Sequence, residues 1–561
     1  MAFQLSPGVN VSEIDLTTIV PQVGTTTGGF VGIFNWGPVD EIKTMSSEID
    51  LVNTFGLPDA NTYESFFTAA NFLAYADNLK LVRSVGAAAR NAANSVGVLI
   101  KNRDAYESSY SSLSSNTTGY LFAAKYPGSL GNSLKVSICA NTGGFSTYPY
   151  ASNYNGAPNT STYVAGVGGS GDEMHITVVD EDGFISGTAN TVLERFGYIS
   201  KASDATNEDG SSNYYVNVLT DQSKYVYAIA HAANSNSGVT GSGTAFTGGD
   251  GGTAGVFGVS LVGGVDASPA TANVQVSYDK FKNADETDIS LIITGAHSNV
   301  VSKYVVDNIA EVRKDCVVFI SPAKTDVVNQ SGSEVTNITT TRNAHNSSSY
   351  AFFDSGWKYQ FDKYNNVYRW VPLNGDIAGL CVRTDTQRDA WFSPAGFNRG
   401  QIKNVVKLAW NPTKTNRDDL YKIGVNSVVT FQGEGTVLYG DKTMLSKPSA
   451  FDRINVRRLF IVLEKAISRA AKYSLFEFND EFTRAQFKAL VEPYLRDVQG
   501  RRGIFDFKVV CDSTNNTPEV IDRNEFVGDI YIKPARSINF IQLNFVAVRT
   551  GVAFEEIVGR F

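Results

Sequence analysis

The sequence predicts a multidomain α+β protein, and three observations carry that reading. The chain has 561 residues, too many for one hydrophobic core, so several domains are expected. Its 50 Gly, 26 Tyr and 34 Phe, set among many Ser, Thr and Asn, favour strands and tight turns over helical bundles. Segments of helical spacing near both ends flank a middle stretch of short alternating runs.

Residues 1–25 read as an extended arm. Val9, Val11 and Ile14 stand among polar residues, and a Thr-rich stretch with Pro21 and Gly24 follows. Such a segment has too little apolar surface to fold alone. Residues 30–34 (FVGIF) read as a strand. Residues 62–77 read as a helix, because Phe66, Phe67, Ala70, Phe72, Leu73 and Ala76 recur at helical spacing, and 79–85 as a further strand. From about 90 to 250, alternating runs at 134–140, 175–179 and 212–219 lie between Gly/Ser/Asn clusters. That pattern predicts a β-sandwich or barrel-like domain with long loops, left through a Gly-rich linker at 235–264.

A strand at 289–294, an amphipathic helix at 302–313 and a strand at 316–320 predict a parallel βαβ unit. Residues 321–350 read as a polar loop, with mixed structure to about 400. The last 120 residues begin with a helix at 456–472 that turns Leu459, Phe460, Leu463, Ala466, Ile467, Ala470 and Ala471 inward. Asn479 or Asp480 can cap a second helix, 481–499, expected to bury Phe482, Leu490, Tyr494 and Val498. Strands are expected at 503–511, 526–532 and 538–548, before a short tail.

Net charge is −8, which argues against nucleic acid as a partner, since phosphate binding needs a basic surface. The charge is uneven. From Asp441 onward there are 19 Lys+Arg against 16 Asp+Glu, and before it 29 against 40. A mildly basic C-terminal region beside an acidic body predicts different partners for the two parts. Cys139, Cys316, Cys381 and Cys511 are far apart and form no CxxC, so reduced thiols are expected. The opening residues have no basic n-region and no apolar h-region, and no stretch approaches a membrane span. The expectation is a chain made in the cytoplasm, with no membrane insertion.

Motifs for chemistry are scarce. Gly440–Thr443 (GDKT) lacks the glycine spacing of a P-loop, and the Gly-rich GGDGGTAGVFG opens no clear helix. His175, His231, His297 and His345 are too far apart for a paired-ligand zinc site. His297 follows a candidate parallel strand, where α/β folds place ligands, but no GxSxG elbow accompanies it. Asp172-Glu173 and Asp180-Glu181-Asp182 read as solvated loops. No catalytic, cofactor or metal site is assigned.

A family resemblance arises from short motifs in collinear order. LSPGVNVSEID (5–15) and TTTGGFVGIFNWGPVDE (25–41) open the chain. AKYPGSLGNSLKV (124–136), LVGGVD (261–266) and IAGLCVRTDTQRDAWFSPAG (377–396) follow. GVNSVVTFQGEGTVLYGDKT (424–443), INVRRLFIVLEKAI (454–467), FEFND (476–480), CDSTNNTPEVID (511–522) and FEEIVG (554–559) complete the series. Together they resemble the tail sheath proteins of contractile phages over nearly the whole chain, most weakly in 137–250 and 321–350.

The resemblance implies a modular subunit. Its parts would be an N-terminal strand-exchange arm (1–25), an α/β middle domain (26–95 and 251–400) and an inserted β-rich outer domain (96–250). A C-terminal α+β inner domain (401–548), with helices packed on a mixed sheet, and a C-terminal arm (549–561) would complete it. The arm residues implied to join neighbouring subunits are Pro7, Gly8, Val9, Val11 and Ile14, with Phe554, Ile557 and Val558. The implied partners are further copies in stacked hexameric rings, the tail tube protein, the baseplate, and neck or terminator proteins, in a virion tail assembled in the host cytoplasm. Charge alone singles out Arg457, Arg458, Arg496, Arg501 and Arg502 as a surface for the tube. Other readings are the sheath of a genome-free injection device, a β-rich adhesin or carbohydrate-binding protein, and a hydrolase-like enzyme around His297.

Overall fold

Six short and mostly apolar runs become the parallel strands that organise the larger part of the protein. In the computed structural model, which describes residues 24–114, 121–229 and 255–542, a seven-stranded sheet runs in the order Val425–Asn426, Ala351–Asp354, Val317–Ile320, Leu291–Ile293, Gly28–Gly32, Leu79–Arg83, Ile42–Met45. Every neighbouring pair is parallel except the last, which is antiparallel. The inner strands read GGFVG, LII, VVFI and AFFD and are buried on both faces, the pattern expected where helices cover a parallel sheet twice. The edges are blunted: one is two residues long and the other carries Lys43 and Thr44.

The chain enters this sheet at an inner strand, Gly28–Gly32. It proceeds to one side through the helices Glu48–Phe55 and Tyr63–Leu73, then returns to the other side at Leu291–Ile293. A mostly buried helix, Asn374–Gln387, packs against Tyr63–Leu73. Two glycines permit that approach. A Cβ on Gly375 would meet the Thr68 carbonyl oxygen at 2.5 Å, and one on Gly379 would meet the Tyr75 ring at 2.5 Å.

The inserted part forms a four-stranded antiparallel sheet, ordered Thr191–Ser200, Glu173–Asp180, Leu134–Cys139, Val256–Ser260, with a separate short pair, Phe122–Ala124 and Val226–Ala228. Its own core gathers Leu134, Val136, Ile138, Met174, Ile176, Val178, Tyr215 and Leu219. Three expectations are corrected here. Residues 212–219 are not a strand: Tyr215–Gln222 is a helix that buries Tyr215, Val216, Val218 and Leu219. Within the expected linker 235–264, Val256–Ser260 is a strand paired with Leu134–Cys139, so the insert extends past 250. Residues 321–350 contain helices Lys324–Val327 and Glu334–Asn343, anchored by buried Val327 and Ile338.

The described residues divide into two compact units, the first ending at Phe476 and the second beginning at Glu477. Leu420, Val425, Val428, Leu438, Met444, Ile454 and Ile461 belong to the core of the large sheet, so this stretch packs within the first unit. The helix expected at 456–472 spans Ile454–Ala471.

In the second unit, Asp480 caps the helix Glu481–Gly500 by accepting from the Thr483 N–H at 2.8 Å. Phe487, Val491, Leu495 and Val498 form its buried stripe. The expected phase was wrong at Phe482, which is 75% exposed, and at Leu490 and Tyr494, which are only half-buried. Ile504–Val510 pairs antiparallel with Asp529–Pro534. Of the third expected strand, 538–542 carry no regular structure and 543–548 lie outside the described residues.

Candidate functional site

The carboxyl end of a parallel sheet is where α/β folds hold ligands, at the point where strand order reverses. Here that point lies between Gly28–Gly32 and Leu291–Ile293, and His297 sits beside it. The half-buried ring is taken up structurally: its Nε2 is 2.7 Å from the Val31 carbonyl oxygen, and burial holds its pKa below the usual histidine value. Side chains fill the neighbouring strand ends. Asn374 Nδ2 donates to the Gly295 carbonyl at 2.8 Å, Ser321 Oγ donates to Asp354 at 2.6 Å, and the Asn374 N–H donates to Ser321 Oγ at 3.0 Å. Burial pushes the Asp354 carboxyl up to about 8, so it holds a proton at neutral pH.

Close by, Lys358 Nζ meets Asp376 Oδ1 at 2.9 Å, with both side chains sealed from solvent. Burial lowers the lysine and raises the aspartate, and each partner offsets the shift of the other. A Ser–His contact also exists that the sequence did not reveal: Ser302 Oγ lies 2.8 Å from His345 Nε2. Both residues are buried, and His345 Nδ1 bonds the Thr341 carbonyl, so the pair ties two helices together and has no carboxylate to orient the ring. Among the described residues, no group of three or more His, Cys, Asp or Glu is placed to hold a metal ion.

The polar side chains instead form clamps between elements. Arg83, 2% exposed, donates from Nε to the Phe34 carbonyl, from Nη1 to that of Gly37 and from Nη2 to that of Pro127, at 2.8, 2.9 and 2.8 Å. It thereby fastens the insert to the large sheet, and burial lowers its pKa to about 9. A second clamp holds Gly24 and Thr25. Thr25 Oγ1 donates to Asp385 Oδ2 at 2.6 Å, and Arg458 donates to both oxygens of the same carboxylate at 2.8 and 2.5 Å. Ser290 Oγ donates to the Gly24 carbonyl, and Lys465 reaches Asp288, Ser290 and the Ile289 carbonyl at 2.9, 3.0 and 2.9 Å.

These positions revise the basic surface expected from charge. Arg458 is spent on Asp385, with side-chain exposures of 4% and 6%. Arg457 is buried between the rings of Tyr350 and Phe451, each 4.5 Å away. Neither is available to an outside partner, because their helix turns this stretch into the core of the first unit. Arg496, Arg501 and Arg502 are exposed on the second unit, where Arg496 lies 3.9 Å from Glu492 and Arg501 3.5 Å from Asp497. Pro7, Gly8, Val9, Val11, Ile14, Phe554, Ile557 and Val558 lie outside the described residues.

The second unit presents a two-stranded sheet with one face on its helix and Phe505 and Tyr531 exposed, 71% and 61%. A two-stranded sheet of that size is marginal in isolation, and among the described residues no further strand pairs with either edge.

Residues 274–444 match the phage tail sheath protein central domain, and residues 446–547 match the phage tail sheath C-terminal domain. The chain is 36% identical to the tail sheath protein of Vibrio phage KVP40, over 99% of this chain and 100% of that one. It belongs to the phage tail sheath protein family. The tail sheath protein of Enterobacteria phage T4 is 34% identical, over 99% of each chain. Among solved structures, the sheath complex of an extracellular contractile injection system, PVC, in its contracted state superposes with a TM-score of 0.51 at 13% identity, covering 97% of this chain and 98% of that one. The sheath family is thus reached by sequence over the full length and by fold across both units.

Proposed function

We propose that this sheath protein polymerises as a six-fold helical coat around a tail tube and contracts from a metastable extended state to drive the tube through a host envelope. The observation that carries this reading is the full-length identity to the phage T4 and KVP40 sheath proteins. The subunit works as a structural element and not as an enzyme. Its partners are further copies of itself, the tube protein, the baseplate and the neck or terminator proteins, in a virion tail assembled in the host cytoplasm.

Physical reasoning supports the division of labour. The arms at 1–25 and 549–561, through Pro7, Gly8, Val9, Val11, Ile14, Phe554, Ile557 and Val558, add strands to the open hairpin edges of neighbouring copies. That addition satisfies backbone groups on both partners. Such an interface is heterologous, so repetition generates an open helix. The inserted β-rich part faces outward, and the C-terminal part faces the tube through Arg496, Arg501 and Arg502. Contraction is stored in the assembled lattice, with folded units moving as rigid bodies about the arms. A genome-free injection device is the second reading, favoured by the likeness to the PVC sheath.

Electron microscopy of the purified protein with tail tube protein tests the proposal. Striated hollow cylinders are expected, and deletion of residues 5–20 should abolish them while leaving the monomer folded. Dispersed monomers at every concentration, with tube present, would defeat the reading.

A further inference from the structure

The strand Trp357–Asp362 is patterned inside out. Its inward side chains are Lys358, Gln360 and Asp362, buried to 0%, 3% and 0% exposure, while Tyr359 and Phe361 point the other way. Each inward polar group is held: Lys358 by Asp376 and the Lys403 carbonyl, Gln360 by the Asn71 amide, and Asp362 by the backbone N–H groups of Tyr364 and Asn365. A one-residue slip would bury the aromatics but strand those partners, so the register is locked with the rings outside.

The antiparallel partner strand completes the outer face. Trp370 lies opposite Tyr359 and Tyr368 opposite Phe361. Tyr359 contacts Tyr368 and Trp370 with ring centroids at 5.5 and 4.7 Å, and Phe361 contacts Tyr368 at 5.2 Å. Phe361 and Tyr368 remain 45% and 51% exposed. Lys407, on the third strand, stands over the rings of Tyr359 and Trp370 at 5.1 and 5.6 Å, and none of the ion pairs among the described residues includes it. The only carboxylate in the three strands, Asp362, points inward.

We infer that Tyr359, Phe361, Tyr368, Trp370 and Lys407 form a docking surface for an acidic face of a second copy of this chain. Two facts select that occupant. The chain is acidic overall, at −8, while this face is aromatic and cationic, so the charge complement lies on other surfaces of the same protein. Clustered aromatics beside a cation are also the composition of energetic centres in protein interfaces. The inference rests on the polymeric function proposed above, and it names one of the contacts between copies other than the arms.

Two experiments test it. In the first, Phe361→Ser combined with Tyr368→Ser should reduce sedimentable sheath at least tenfold, with the thermal midpoint of the monomer unchanged. Lys407→Glu should reduce it in a way that added salt relieves. Wild-type yield from the double variant would overturn the inference. A midpoint lowered by several degrees would also overturn it, because residues of the same chain would then cover the face. In the second, a photo-crosslinking amino acid replaces Tyr368 in concentrated protein without tube. Chain-to-chain crosslinks to Asp- and Glu-rich segments are expected. Their absence, or capture of a glycan from an array by this face, would overturn the inference. The second readout does not require a finished sheath, so failure of the polymer reading and failure of this contact are distinguishable.

Discussion

Replacing Arg458 with Met should destabilise the first unit by ~3–5 kcal/mol, the usual cost of leaving one member of a buried ion pair alone. The structure places the loss near the lower end of that range. Asp385 would keep the Thr25 hydroxyl as a donor. Asp385→Leu should cost a similar amount, because it leaves the guanidinium with 4% side-chain exposure and no counter-charge. The double variant Arg458→Met, Asp385→Leu should lie much closer to wild type, since apolar replacement of a whole buried pair is often nearly neutral. With two single losses of ~3 kcal/mol each and a double variant near wild type, the coupling read from this cycle is expected to be ~5 kcal/mol. Urea unfolding followed by tryptophan fluorescence is the assay. All five tryptophans, Trp36, Trp357, Trp370, Trp391 and Trp410, lie in the first unit, so the signal reports that unit alone. Single variants that both fall within about 1 kcal/mol of wild type would refute the reasoning, as would a double variant as unstable as the sum of the two.

Further outcomes follow from other contacts. Gly375→Ala should lower stability by ~1–2 kcal/mol, because the clash with the Thr68 carbonyl outweighs the helix-propensity gain; a stabilised variant would show that the two helices can separate freely. Asp354 is raised from 3.8 to about 8, so the folded state holds a proton that the unfolded state releases. The stability this contributes is complete below pH 3.8 and is lost as pH rises towards 8, by up to ~1.4 kcal/mol per pH unit. Asp354→Asn should flatten the urea midpoint across that window, and parallel wild-type and variant profiles would contradict the assignment. Reversing Arg496, Arg501 and Arg502 to Glu should weaken tube-templated assembly most strongly at low salt; a yield unchanged at every salt concentration would remove these residues from the tube contact.

Much of the large sheet is legible in the sequence, because fully buried parallel strands leave short apolar runs such as 289–294 and 316–320. The helix Ile454–Ala471 is legible for the same reason, with a wide apolar stripe. The failures have identifiable causes. Tyr215–Gln222 reads as a strand because YYVNVL is rich in β-branched and aromatic residues, yet tertiary packing makes it a helix. Glu334–Asn343 carries four Thr residues and Asn337 in its middle and has no amphipathic stripe, so only Ile338 betrays it. The helix Glu481–Gly500 is found, but its phase is set by Phe487 and Val491, while the exposed Phe482 misleads. The candidate sites fared similarly. Arg457 and Arg458 look like a surface patch in a charge count, because nothing in the sequence shows Asp385, 73 residues away, waiting for one of them. The polar inward face of Trp357–Asp362 is illegible because its partners Asn71 and Asp376 come from separate helices.

The fastening of Gly24 and Thr25 also decides how the subunit bears a load. Tension on the chain ahead of Gly24 first meets the Thr25–Asp385–Arg458 clamp and then the strand Gly28–Gly32. That strand lies inside its sheet, with parallel partners on both sides, three register pairs to Leu291–Ile293 and five to Leu79–Arg83. A pull along its axis therefore acts in shear on all those hydrogen bonds together, whereas a pull on an edge strand would unzip them one after another. The subunit is built like a bolt set through a plate, so a taut lattice can tug on its neighbours hard without drawing the thread out of its own fold.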